Sequence, residues 1–189
     1  MKQYLITFLF SSLFILNSCA DVLYESEEID DEKSFTVFTN LFGGSGNDRG
    51  CSVKQTADGG YIITGYLSNI ESRFDFWLIK TDNQGNEDWN QTFGGNSNDF
   101  SYSVQQTMDG GYIITGGTQS FGSGESDVWL IKTDSQGNEE WNQTFGGSED
   151  DYGYSVKQTM DGGYIITGGT QSFGSGESDV WLIKTDSQG

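Results

Sequence analysis

Histidine and proline are absent from this chain of 189 residues, cysteine occurs twice, and only 9 lysines and arginines stand against 28 aspartates and glutamates. Without histidine, neither a Ser-His-Asp nor a Cys-His nucleophile system can be assembled. The formal net charge of −19 argues against nucleic acid and anionic lipid as partners, since both are polyanions. It favours cations, neutral ligands such as sugars, or a basic protein surface, and it keeps a secreted protein soluble. A sustained helical period is also missing from the mature part of the chain. The one long apolar run, residues 4–16 (YLITFLFSSLFIL), is too short to cross a bilayer as a stable anchor.

What that run does fit is the h-region of a secretory signal, with Lys2 as the only charge before it. It ends in Leu16-Asn17-Ser18-Cys19, which resembles the lipobox of bacterial lipoproteins. The resemblance implies a signal peptide over 1–18, acylation of Cys19, and Cys19 as the mature N-terminus. An ordinary signal peptide with an incidental cysteine is the other reading. Residues 21–33 hold seven acids and one base, a composition that stays solvated, so 19–34 reads as an acidic flexible tether. Such a segment is similar to the export tether of surface lipoproteins in Gram-negative bacteria. Ala20, not Asp, follows the cysteine, so the inner-membrane retention signal is missing. The implied address is the outer membrane, facing outward, with the membrane held through lipid on Cys19. An acylated Cys19 leaves Cys51 without an internal disulfide partner. Repeat alignment places Cys51 where Tyr102 and Tyr154 stand, a small apolar position in a strand.

Beyond residue 35 the chain repeats itself. "DGGYIITG" occurs at 58–65, 109–116 and 161–168. Trp89 and Trp141 are 52 residues apart, as are Trp77 and Trp129, and Trp129 and Trp181. Segments 102–137 and 154–189 are identical except that Gln105 becomes Lys157. Fixed self-similarity at this period marks a propeller or a solenoid. Each unit holds four strand-like runs, which in the third copy are 139–145, 154–159, 164–170 and 180–185. In the first run Trp141, Gln143 and Phe145 share one face, the alternation of a half-exposed outer strand. YIIT and VWLI are apolar on both faces, as in strands sandwiched between sheets. Met-Asp-Gly-Gly turns and Asp-Ser-Gln-Gly-Asn turns separate the runs, and Gly137 is expected at positive φ in a type I turn with a G1 bulge.

These features predict an all-β fold. It is a partial β-propeller of three four-stranded antiparallel blades, with units at 35–86, 87–138 and 139–189. A three-fold β-prism or β-trefoil is the alternative, since twelve strands would satisfy it. Paired glycines followed by a distant Trp resemble kelch blades. Residues 131–141 (IKTDSQGNEEW) resemble the turn and docking Trp of quinoprotein-type propellers. Together QTxDGGYIITG, WLIKTDxQGNExW and NQTFGG resemble a family of repeat lipoproteins and secreted bacterial proteins predicted to be propellers. Residues 106–115 are also similar to the QxDxNxVxY pocket of bulb-type mannose-binding lectins, although Asp109 comes one residue late and Gly stands near the Asn position. Propellers close with about four to eight blades, so three leave two apolar faces bare. Either the chain is truncated at its C-terminus, or two copies join head to tail as a homo-oligomer.

Antiparallel strands send successive loops to opposite ends, so one end carries the tight turns and the other the long connections. Function concentrates on long loops set on a rigid scaffold. The candidate ligand-binding residues there are Phe121, Phe173, Glu125, Asp127, Asp150, Asp151, Glu177 and Asp179. The two phenylalanines are candidates for stacking on a sugar. No EF-hand or RTX spacing organises the acids, so no metal and no cofactor is expected. Near-identical copies lack the asymmetry that a catalytic carboxylate pair needs and suit multivalent binding instead. The sequence therefore predicts a noncatalytic binding or scaffold lipoprotein with a glycan or protein ligand. A carbohydrate-binding or polysaccharide-degradation-associated protein is the alternative.

Overall fold

The computed structural model describes residues 37–68 and 73–189. The signal peptide expected at 1–18, the tether at 19–34 and the lipid site at Cys19 lie outside the described residues. Among those residues there are eleven strands. They are β1 (Arg49–Gln55), β2 (Tyr61–Ser68), β3 (Phe74–Thr81), β4 (Glu87–Phe93), β5 (Asp99–Gln106), β6 (Tyr112–Thr118), β7 (Asp127–Thr133), β8 (Glu139–Phe145), β9 (Asp151–Gln158), β10 (Tyr164–Thr170) and β11 (Asp179–Thr185). Neighbours in sequence pair antiparallel, giving sheets β1-β2-β3-β4, β5-β6-β7-β8 and β9-β10-β11. The all-β class is as predicted.

Two finer expectations are corrected. The repeat predicts twelve strands in three sheets of four, whereas the third sheet has three and residues 38–42 form no strand. The EEW-type strand also closes a sheet instead of opening one, so the hydrogen-bonded sheets run 49–93, 99–145 and 151–185. The turn decides this. The Gly137 amide donates to Asp134 O at 3.2 Å and the Asp134 amide to Asn138 O at 2.9 Å. Gly137 has φ +81°, the G1 bulge expected. So short a hairpin forces β8 onto β7 before it can meet β9.

Packing is serial. One apolar cluster joins Ile62, Phe76 and Leu78 of the first sheet to Val104, Tyr112, Ile114, Trp129 and Ile131 of the second. Another joins Ile113, Val128 and Leu130 of the second to Val156, Tyr164 and Ile166 of the third. The middle sheet is thereby covered on both faces, and every residue of β6 and β7 is buried. Trp89 docks on Tyr112 across one interface, and Trp141 on Tyr164 across the other, with ring centroids 5.8 and 5.6 Å apart. The inner strands β5 and β9 meet directly, the amides of Val156 and Gln158 donating to Ser103 Oγ and Gln105 Oε1 at 3.3 and 2.9 Å.

The thrice-written DGG now has a reason. Gly110 stands at φ +87°, a left-handed conformation that a Cβ penalises. Gly111 is needed for space, because a Cβ there would lie 2.1 Å from Thr133 O and 2.7 Å from Lys132 Nζ. Asp109 completes the turn by accepting from the Gly111 amide at 3.0 Å. In urea unfolding, Gly110→Ala is expected to cost about 1 kcal/mol through backbone strain. Gly111→Ala should cost more, about 2–3 kcal/mol, because the added Cβ would meet the Thr133 carbonyl, a backbone atom that cannot swing aside. A smaller cost at Gly111 than at Gly110 would mean that close approach to the Thr133 carbonyl does not dictate the second glycine.

Candidate functional site

The two ends of the sheets differ in chemistry. At the tight-turn end each sheet carries one lysine on its third strand, aimed back at its own DGG turn. Lys132 Nζ lies 2.8 Å from Asp109 and 2.7 Å from Glu140, and donates to Thr133 O at 2.9 Å, with the side chain almost fully buried. Lys80 repeats this with Asp58 and Asp88 at 2.8 and 3.4 Å. Lys184 meets Asp161 at 3.0 Å and is more exposed. Burial opposes ionisation of Asp109, but hydrogen bonds from Lys132, Thr107 and the Gly111 amide outweigh it and hold its pKa down at about 2. Burial also opposes the Lys132 charge, yet Asp109 and Glu140 raise its pKa above the ordinary lysine value. The lysines thus tie the turn to the strands beside it, and this end works as a clamp.

The long-connection end holds the predicted candidates and sorts them into two groups. Asp127 and Asp151 are buried and bind the loops themselves. Asp127 accepts from the amides of Ser123 and Gly124 at 2.8 and 3.2 Å. Asp151 accepts from the Gly147 amide at 2.9 Å and from Ser172 Oγ at 2.6 Å. Asp179, half-buried, takes the Ser175 amide at 2.8 Å. Asp150 accepts from the Tyr152 hydroxyl at 3.2 Å. Glu125 and Glu177 are exposed. Among the described residues no three Cys, Asp or Glu side chains converge as metal ligands.

Phe121 and Phe173 form the other group, 45% and 50% exposed. Each leans on a tryptophan of its own sheet, Phe121 on Trp129 at 5.0 Å and Phe173 on Trp181 at 5.3 Å. Phe121 borders a groove of about 380 Å³ lined also by Thr92, Phe93, Trp129, Asn142 and Thr144. Inside it the Trp129 indole donates to Asn142 Oδ1 at 3.1 Å, and Asn142 Nδ2 donates to Glu139 Oε1 at 2.6 Å. The site is thus an aromatic platform beside an ordered line of polar groups, suited to stacking and hydrogen bonding with a neutral ligand.

Sequence reasoning passed over two things here. One is the aspartate that fastens each connection, half-buried at Asp48 and buried at Asp99 and Asp151, with the Gly44, Gly95 and Gly147 amides donating to them at 2.8, 3.0 and 2.9 Å. Its signal was legible as Gly-Gly-x-x-x-Asp in all three copies. The other is the Trp-Asn-Glu line, whose members come from two strands. Neither a protein-family model nor a curated protein matches the chain.

The depressed aspartates set the acid limit of the fold. Asp109 and Asp161 hold pKa values of about 2, below the unfolded aspartate value of about 3.9. Their contribution is complete above about pH 4 and is lost as pH falls towards about 2. The urea midpoint is therefore expected to drop over that window, and Asp109→Asn should flatten the drop while lowering the plateau. An unchanged acid profile in the variant would remove Asp109 from the account.

Proposed function

We propose that the chain is a noncatalytic binding or scaffold module. It is carried on the outer membrane by lipid on Cys19 and presents the long-connection end of a partial β-propeller. Serial packing of the sheets supports the propeller reading, because each contact repeats the last at equivalent positions one unit further on, with Val128 in the place of Phe76. The order of strands supports it too, with β5 and β9 meeting at one edge while β4 and β8 lie at the other. The likeness to repeat lipoproteins with propeller-type units belongs to the same proposal.

One observation carries the functional reading: the Phe-on-Trp platform occurs twice in the same place, on successive sheets. A repeated platform engages a ligand with repeated groups, and linked weak contacts gain avidity by effective concentration. The groove's aromatic wall and amide–carboxylate line favour a neutral glycan as that ligand. A polysaccharide-binding role is accordingly the specific form of the proposal.

A glycan array followed by calorimetry tests it. Phe121→Ala and Phe173→Ala are each expected to weaken binding about tenfold with the fold retained, since an aromatic contact contributes about 1 kcal/mol or more. Binding that ignores both substitutions, or release of reducing sugar from a polysaccharide, would overturn the reading. Metabolic labelling with a palmitate analogue should mark the wild-type chain and leave Cys19→Ala unlabelled. Equal label in both would remove the anchor.

A further inference from the structure

Three Asp-Gly dipeptides, at 58–59, 109–110 and 161–162, stand at the tips of the tight turns. The aspartate side chains are 61%, 59% and 66% exposed, so water reaches each carboxyl. Nothing crowds the glycines of the second and third copies: a Cβ added to Gly110 or Gly162 would find no atom within 4 Å. Asp-Gly in such a setting has an intrinsic chemical weakness. Glycine lacks the side chain that would hinder approach of its nitrogen to the preceding carboxyl, and its backbone turns freely.

The weakness is cyclisation. The Gly110 nitrogen attacks Asp109 Cγ and one C–N bond forms. The carboxyl hydroxyl leaves, and with the amide proton it makes one water. The five-membered succinimide then takes up one water. Opening at one carbonyl restores aspartate. Opening at the other yields isoaspartate, in which the main chain runs through the side-chain carboxyl and is longer by one carbon. No oxidant, metal or second reactant enters. The step needs a glycine nitrogen released from its hydrogen bond and a carboxyl free to rotate onto it. It also needs the neutral acid, because a carboxylate has no hydroxyl to lose.

Each turn withholds these conditions in the same way. Gly59, Gly110 and Gly162 donate their amides to Thr56 O, Thr107 O and Thr159 O, each at 2.9 Å. The hydroxyls of the same threonines donate to Oδ1 of Asp58, Asp109 and Asp161. That oxygen also accepts from the amides of Gly60, Gly111 and Gly163 at 3.0, 3.0 and 3.2 Å. The other oxygen, Oδ2, faces Lys80, Lys132 and Lys184 at 2.8, 2.8 and 3.0 Å. The carboxylate is pinned at both oxygens and bonded to the second glycine instead of the first. With its pKa at about 2, Asp109 has almost none of the reactive acid at neutral pH.

We infer that the three Asp-Gly turns are latent sites of succinimide and isoaspartate formation, held closed by the turn threonine and the third-strand lysine. A tight turn of this kind needs the aspartate's bond to the second glycine. It does not need an ammonium drawn in from another strand, yet all three copies bring one, although the residue between threonine and aspartate changes from Ala57 to Met108 and Met160. The consequence of failure is local and severe. An extra backbone carbon at 109 would move the carboxylate and break the bond from the Thr107 amide to Gly111 O, 2.9 Å long, that closes the β5–β6 hairpin. The inference stands on the turns alone and uses neither phenylalanine platform.

Prolonged incubation of the full chain in warm neutral buffer, followed by tryptic mapping, tests it. The three dipeptides fall on separate peptides, 55–73, 81–132 and 158–184, and electron-transfer fragmentation distinguishes isoaspartate from aspartate. The folded wild-type chain is expected to isomerise at least about tenfold more slowly than the same chain in urea, since each pKa unit removed from a carboxyl cuts its acid form tenfold. Lys132→Met, whose middle peptide extends to 157, and Thr107→Val should each speed the reaction at Asp109 about tenfold. Asp58 and Asp161 should keep their native rates in both variants, which reports an intact fold. A folded chain that isomerises as fast as the unfolded one would overturn the inference. So would wild-type rates at Asp109 in both variants. All three positions speeding up together would overturn it as well, because protection would then belong to the fold as a whole.

Discussion

Everything in this protein depends on a sheet that is apolar on both sides. YIIT and WLI leave no solvent face on the middle strands, so a single sheet cannot be stable in water. Leu130 shows the benefit of a neighbour and Leu182 the lack of one. They are the same residue in the same local sequence, one with no exposure and the other 64% exposed. Burying such a side chain is worth roughly 2 kcal/mol. Repetition is the simplest answer to that demand, because a copy brings a complementary face with it. Stacked copies bury one another, and the problem moves to the two outermost faces.

The connections are organised around that stacking. At one end a lysine of the third strand draws in the DGG turn, and the second glycine leaves room for its ammonium and for the neighbouring carbonyl. At the other end an aspartate takes one amide of each Gly-Gly corner, so that long polar loops cross between sheets without stranding their backbone groups. The isolated parallel bridge between Ser126 and Asp150 ties loops of adjacent sheets in the same way. Among the described residues charge is thus used where it fastens the backbone. Rigid loops of this kind can hold an exposed aromatic ring at low entropic cost. That is the physical basis for reading Phe121 and Phe173 as presented to a ligand.

Local chemistry decided the elements. The period near 52 residues, the strand runs, the positive φ at Gly137 and the exposed placement of Phe121, Phe173, Glu125 and Glu177 were all readable from single residues and their neighbours. Such features depend on turn chemistry and on alternation, which act over a few residues. Tertiary structure decided the partners. That the EEW-type strand ends a sheet followed from competition between a short hairpin and a longer connection. The burial of Asp127 and Asp151, which the sequence offered as ligand groups, followed from loop amides that come together only once the sheets are stacked. The Trp129–Asn142–Glu139 line needed β7 and β8 side by side. Identical residues such as Val128 and Val180 have identical propensities, so only the presence or absence of a neighbouring sheet could make one core and the other surface.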